Sequence, residues 1–104
     1  MTKKLIIFEL DTTVRGLKSF YHKKSTGNAY YDIRKVMHKN KFLWQGGSVY
    51  LSTFPLSYHQ VSLLIEELYE DNDWIEKCLR DYLVIEIDNF HRLSNKLTKK
   101  INKT

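Results

Sequence analysis

One cysteine, one proline and four glycines are all that this 104-residue chain has of the residues that staple, kink or break a backbone. A lone thiol, Cys78, excludes an intramolecular disulfide and fits a reducing cytoplasm; in a helical setting it reads as core filling rather than as a nucleophile. No apolar run approaches the roughly 18 residues a membrane helix needs. Met1–Lys4 leads into an apolar stretch of four residues, which does not match a secretory leader, so a cytoplasmic protein without membrane contact is expected. The four histidines are too scattered to propose a catalytic triad or a metal cluster. Neither an internal repeat nor a low-complexity block is visible, and the length suits one domain with a single modest core.

Charge, by contrast, is plentiful and unevenly placed. Lys3–Lys41 holds ten basic residues against Glu9, Asp11 and Asp32, whereas Glu66–Asp88 holds nine acids against Lys77 and Arg80. The last segment, residues 92–104, has five basic residues and no acid, so the net charge of +5 can be assigned to that tail. A basic half and a basic tail suit a polyanion such as RNA, although scattered lysines also make ordinary solvated surface.

The stretch Leu5–Asp11 organises the rest. Its apolar start, rich in β-branched and aromatic types, gives way to alternation with acids, the pattern of a strand with carboxylates at its exit. With Ile6, Phe8 and Leu10 facing helices, Leu5, Ile7, Glu9 and Asp11 share the other face, because side chains alternate along a strand. That second face starts apolar and ends acidic. In so short a chain its expected cover is a second copy, which puts Glu9 and Asp11 near a homodimer seam.

A short helical turn, weakened by Gly16, is plausible after Asp11. Polar residues of Ser25–Asn28 can cap a helix whose apolar positions are Ala29, Ile33, Val36 and Met37 and which ends near Asn40. Lys41–Gln45 and Ser48–Thr53 read as strands around a Gly46–Gly47 turn, or with the glycine pair as a bulge and the turn placed slightly earlier. Ser57 and Gln60 have capping-box spacing ahead of the stripe Val61, Leu64, Ile65 and Leu68. Asp73 and Glu76 repeat that spacing before a short helix to about Arg80, and Tyr82–Asp88 alternates as a half-buried strand. Phe90, Leu93, Leu97 and Ile101 are helically spaced in the basic tail, which is either a marginal helix on a partner or a frayed end. The expected division is a domain over residues 1–91 and a tail over 92–104.

Strand, helix, strand, strand, helix, strand is the α+β, ferredoxin-like βαββαβ plan, an antiparallel sheet with helices on one face. It sets the first strand between the third and the fourth. The exit of the first strand and the starts of the other two then share one edge, which gathers Glu9, Asp11, Ser48, Arg80 and Asp81.

Ile7–Phe8–Glu9–Leu10, Ala29–Tyr30 with Asp32–Ile33–Arg34, Gly47–Ser48–Val49–Tyr50, and Trp74 followed by Leu79–Arg80–Asp81 occur together in this order. In this the chain resembles the virulence-associated protein D (VapD) family, small bacterial proteins related in fold to the CRISPR-adaptation nuclease subunit, over roughly Leu5 to Phe90. The resemblance implies a homodimeric ferredoxin-like endoribonuclease, in several cases the toxin of a toxin–antitoxin pair with a protein antitoxin as partner. It places the family's site acid on Glu9, its hairpin serine on Ser48 and its later aspartate on Asp81. Two positions depart from the pattern. Glu9 stands where aspartate is usual, and Gly46 stands where a glutamine precedes Gly–Ser, with Gln45 one place earlier.

Cutting RNA needs a base for a 2′-hydroxyl or a metal-activated water, and carboxylates serve either route. The candidate catalytic set is Glu9, Asp11, Ser48 and Asp81, with Arg80, Arg15 and Lys18 as RNA contacts. Glu9 and Asp11 are the candidate ligands if Mg²⁺ is required. Each has a plainer reading: Asp11 as the cap of the following turn, Ser48 bonded to turn backbone, Arg80–Asp81 as a surface ion pair. Tyr30, Tyr31, Tyr50, Tyr58 and Trp44 could stack on bases but are mostly expected in the core. The rival of another class is a catalytically inactive dimeric RNA- or protein-binding module of the same fold.

Overall fold

A computed structural model describes residues 1–13, 15–21 and 27–88; the basic tail 92–104 and Ser25–Thr26 lie outside the described residues. The elements run β1 (Lys3–Leu10), α1 (Leu17–Phe20), α2 (Gly27–Lys39), β2 (Phe42–Gly46), β3 (Val49–Ser52), α3 (Tyr58–Asp71), α4 (Ile75–Cys78) and β4 (Leu79–Ile87). The sheet is antiparallel in the order β2-β3-β1-β4, so β1 lies between β3 and β4. This is the expected α+β, ferredoxin-like arrangement, with the short helices α1 and α4 added to the plain βαββαβ sequence.

Alternation decides the two faces of β1. Ile6 and Phe8 are buried in one cluster with Ile33 and Met37 of α2 and Leu64 and Leu68 of α3. Leu5 and Ile7 point the other way and are only half-buried. Their register partners on β4, Ile85 and Leu83, are 40% and 55% exposed, and Leu43 on β2 is 55% exposed. The apolar alternation of β4 therefore faces away from the helices, which makes this strand far more exposed than the half-buried one expected. Together these residues form an uncovered apolar sheet face.

Local signals at α3 work as read. Ser57 Oγ accepts from the Gln60 amide at 3.1 Å, and Gln60 Oε1 accepts from the Ser57 amide at 2.8 Å, a reciprocal cap worth on the order of 1 kcal/mol. Val61, Leu64, Ile65 and Leu68 are its buried stripe. The N-cap of α4 is Trp74, one residue after Asp73, with no side-chain bond from Trp74, and the helix ends at Cys78 because β4 begins at Leu79. At the end of α2, Asn40 Nδ2 donates back to the Val36 carbonyl at 2.8 Å, and Lys41 takes the left-handed conformation at φ 64°.

Lys4 is the least foreseeable element of the core. It is 2% exposed, and its ammonium donates to the carbonyls of Leu56 at 2.8 Å and Thr2 at 3.1 Å and to Thr2 Oγ1 at 3.0 Å. All three ammonium donors thus have acceptors, as a buried lysine requires. No helix among the described residues is long and apolar enough to cross a membrane.

Candidate active site

The rim where β1 ends is shaped by an irregularity in its pairing with β4. Glu9 is in register with Asp81, but Leu10 is in register with Leu79, so Arg80 is an extra residue without a partner on β1. Such a bulge re-aims its side chain. It lets Leu79 pack toward the core while Asp81 and Glu9 share the open face. Arg80 NH1 reaches Glu9 Oε1 at 3.7 Å, with both side chains 63% exposed, so the contact is a solvated one. Its consequence is placement: a guanidinium beside two in-register carboxylates.

Ser48 arrives from the other flank. The β2–β3 turn is Gly47–Ser48, one residue later than Gly46–Gly47, and Gln45 is bulged because Trp44 pairs with Tyr50 while Gly46 pairs with Val49. Gly46 and Gly47, at φ 119° and 53°, supply the left-handed backbone this turn needs. The Ser48 carbonyl accepts from the Phe8 amide at 3.0 Å, which fixes Ser48 beside the end of β1.

Asp11 begins the next loop. Its Oδ1 accepts from the Thr13 amide at 2.9 Å and from Thr13 Oγ1 at 2.5 Å. The Thr13 hydroxyl first, then its amide, hold the Asp11 carboxyl below the usual carboxylate range, and Arg80 and Arg15 add to the effect. This is the turn-capping reading of Asp11. A cleft of about 290 Å³, lined by Asp11, Thr13, Arg15 and Arg80, opens alongside. The loop closes tightly, since the Leu17 amide donates to the Asp11 carbonyl at 2.8 Å, and a Cβ on Gly16 would lie 2.2 Å from that carbonyl oxygen. Gly16 is required by this close approach rather than merely tolerated before α1.

Glu9, Ser48, Arg80 and Asp81 are thus brought to one rim, and Asp11 and Arg15 join through the cleft they line with Arg80. Asp81, not Asp11, is the acid in register with Glu9. Lys18 is exposed on α1 and does not line the cleft. Cys78 is fully buried, and burial pushes its thiol up, which excludes a reactive thiolate. His38 and His59 are exposed, and His22 and His91 lie outside the described residues. Of the aromatics expected mainly in the core, Tyr50 is buried, but Tyr31, Tyr58 and Trp44 are 57%, 54% and 42% exposed. Among the described residues no group of three His, Cys, Asp or Glu side chains is disposed to hold a metal ion.

Sequence reading missed the Arg80 bulge, although a signal for it exists. Leu79 reads as inward and Leu83 and Ile85 are its apolar equivalents two and three pairs on, yet they face outward; only a change of phase between them reconciles both.

No protein-family model matches the chain, and no curated protein matches it.

Proposed function

We propose that this chain is an endoribonuclease that works as a homodimer through its open sheet face. The observation that carries the reading is the in-register pair Glu9 and Asp81 with Arg80 bulged beside them, on a chain whose first forty or so residues are strongly basic. The resemblance to the VapD family supports it, since the site acid, the serine and the later aspartate fall on that same rim.

In this mechanism the Glu9 carboxylate takes the proton of a 2′-hydroxyl, and the freed oxygen attacks the neighbouring phosphorus. The bond from phosphorus to the 5′ oxygen breaks, that oxygen takes a proton from solvent, and a cyclic phosphate remains. Arg80 offsets the charge that builds on the phosphate oxygens, and the Ser48 hydroxyl orients them. Arg15 extends the cationic lining toward the adjoining phosphate. Magnesium takes one or two carboxylates together with water and phosphate oxygens, so Glu9 and Asp81 fit as its donors; when bound, the ion would supply an activated water and further charge neutralisation. Asp11, its Oδ1 held by Thr13, is the less available donor.

The dimer follows from the apolar face. Leu5, Ile7, Leu43, Leu83 and Ile85 make a patch that a second copy covers by matching it to itself, with the acids of both chains at the edge of the seam.

The test is incubation of labelled RNA with pure wild type, Glu9→Gln and Asp11→Asn, each with and without a chelator. Cutting by the wild type, lost in Glu9→Gln, supports the reading. Equal cutting by all three overturns the site. RNA that is bound but never cut assigns the chain to a binding module instead. Sensitivity to the chelator separates the metal route from the direct one.

A further inference from the structure

We infer that Trp44 is a stacking platform for an unpaired base of the bound RNA, an inference that rests on the nuclease reading and extends it to the strandedness of the substrate. Tryptophan exposed on an edge strand is ordinarily free to rotate, but this one is held on two sides. Its Nε1 donates to the Gly47 carbonyl at 2.7 Å, and the Arg34 guanidinium lies 3.8 Å from its ring centroid. Arg34 is fixed in turn: it is a hydrogen-bond partner of the buried Tyr50 hydroxyl, and its Nε is buried without a partner among the described residues. A guanidinium in that position is offset mainly by ring faces, so the indole is pinned against it. The side chain nevertheless remains 42% exposed. A flat aromatic surface immobilised before binding loses little entropy when a base stacks on it.

Position and charge decide what it stacks. The indole is bonded to the residue preceding Ser48, so it belongs to the hairpin that forms part of the catalytic rim. β2 is the edge strand, and Trp44, in register with Tyr50 and through it with Ile6, lies on the helix side of the sheet. A strand whose phosphate sits at Glu9 on the open face therefore reaches the indole round the β2 edge, several nucleotides along. One helical turn before Arg34, Tyr31 is exposed with the Lys35 ammonium 5.3 Å from its ring centroid, continuing an aromatic and cationic track. The exposed Tyr69, by contrast, lines a cleft with Glu66 and Glu70, which repel a polyanion. Stacking needs a base out of the helix, so the substrate segment is single-stranded.

The chain has two tryptophans, and Trp74 is 3% exposed, so quenchable emission reports on Trp44. The full-length Glu9→Gln variant, which does not consume its ligand, is titrated with an oligoadenylate of about eight nucleotides, the same backbone lacking bases, and a blunt RNA duplex. The oligoadenylate is expected to quench the exposed tryptophan and bind about tenfold or more tighter than the abasic strand, with the duplex causing no quench. Adding Trp44→Ala abolishes that preference, and Trp44→Phe, read with an end-labelled strand, restores most of it. Equal binding of intact and abasic strands to the otherwise unaltered indole overturns the inference, whether or not Trp44→Ala folds. If wild type cuts RNA while the strands bind equally, only the platform falls. If the bases quench Trp44 but wild type cuts nothing, the platform stands and the nuclease reading falls.

Discussion

Glu9 and Asp81 face each other in register across adjacent antiparallel strands, on the same side of the sheet. Like charges directly opposite are unfavourable, by roughly 0.2–1 kcal/mol, and the solvated Arg80 contact offsets that only in part. Asp81→Asn is therefore expected to hold or raise stability by up to about 1 kcal/mol while lowering RNA cutting at least tenfold. Denaturant unfolding and a cleavage assay on the same preparation check both halves.

The open sheet face gives a second expectation. Ile85→Lys puts a charge on the exposed apolar patch without touching the core on the other side, so the variant should fold normally and sediment as a monomer. Wild type should sediment as a dimer at the same concentration. A wild-type monomer at high micromolar concentration would remove the proposed seam.

Lys4 anchors the start of β1 to the segment before α3 through the Leu56 carbonyl. Lys4→Met keeps the length of the side chain but leaves that buried acceptor unpaired, a loss of about 1–3 kcal/mol. The shift in unfolding midpoint measures it.

Gly16 has no room for a side chain against the Asp11 carbonyl. Gly16→Ala should open the loop over Asp11–Leu17 and lower the melting temperature. Activity should fall as well, because the Asp11, Arg15 and Arg80 cleft is lined by that loop; circular dichroism melts and the cleavage assay read the two effects.

The carboxyl of Asp11 is depressed below its ordinary value of 3.8, by the Thr13 hydroxyl before all else. A depressed acid contributes stability that is fully present above its unfolded value and is lost as pH falls through the folded one. The difference in melting temperature between wild type and Asp11→Ala should thus be constant from pH 7 to about 5 and close only below about pH 4. A difference that vanishes near neutrality would contradict this.

Much of the fold was legible because its signals are local. The Ser57 and Gln60 cap, the stripe of α3 and the alternation of β1 each need a handful of neighbouring residues, and each formed as read. The gathering of Glu9, Ser48 and Asp81 followed from element order alone. What the sequence could not disclose depends on partners remote in the chain. Nothing beside Lys4 in the sequence marks it as buried, because its main acceptor, Leu56, lies 52 residues away. Gly16 looked like a weak helix residue because its reason is the carbonyl of Asp11 folding back over it. α4 stops at Cys78 rather than near Arg80 because β4 claims Leu79, and Trp44, one of the aromatics mostly expected in the core, is held at the surface by Arg34 from another element.

The bulge at Arg80 also makes that position dispensable to the strand in an unusual sense. Positions 79 and 81 would ordinarily point the same way, and the supernumerary residue between them lets one turn in and the other out. Excising residue 80 would splice Leu79 directly to Asp81, where ordinary pleating already sends consecutive side chains to opposite sides. A chain shortened by that single residue should keep its architecture and its acids in place while missing one guanidinium, a cleaner subtraction than any replacement at the same spot.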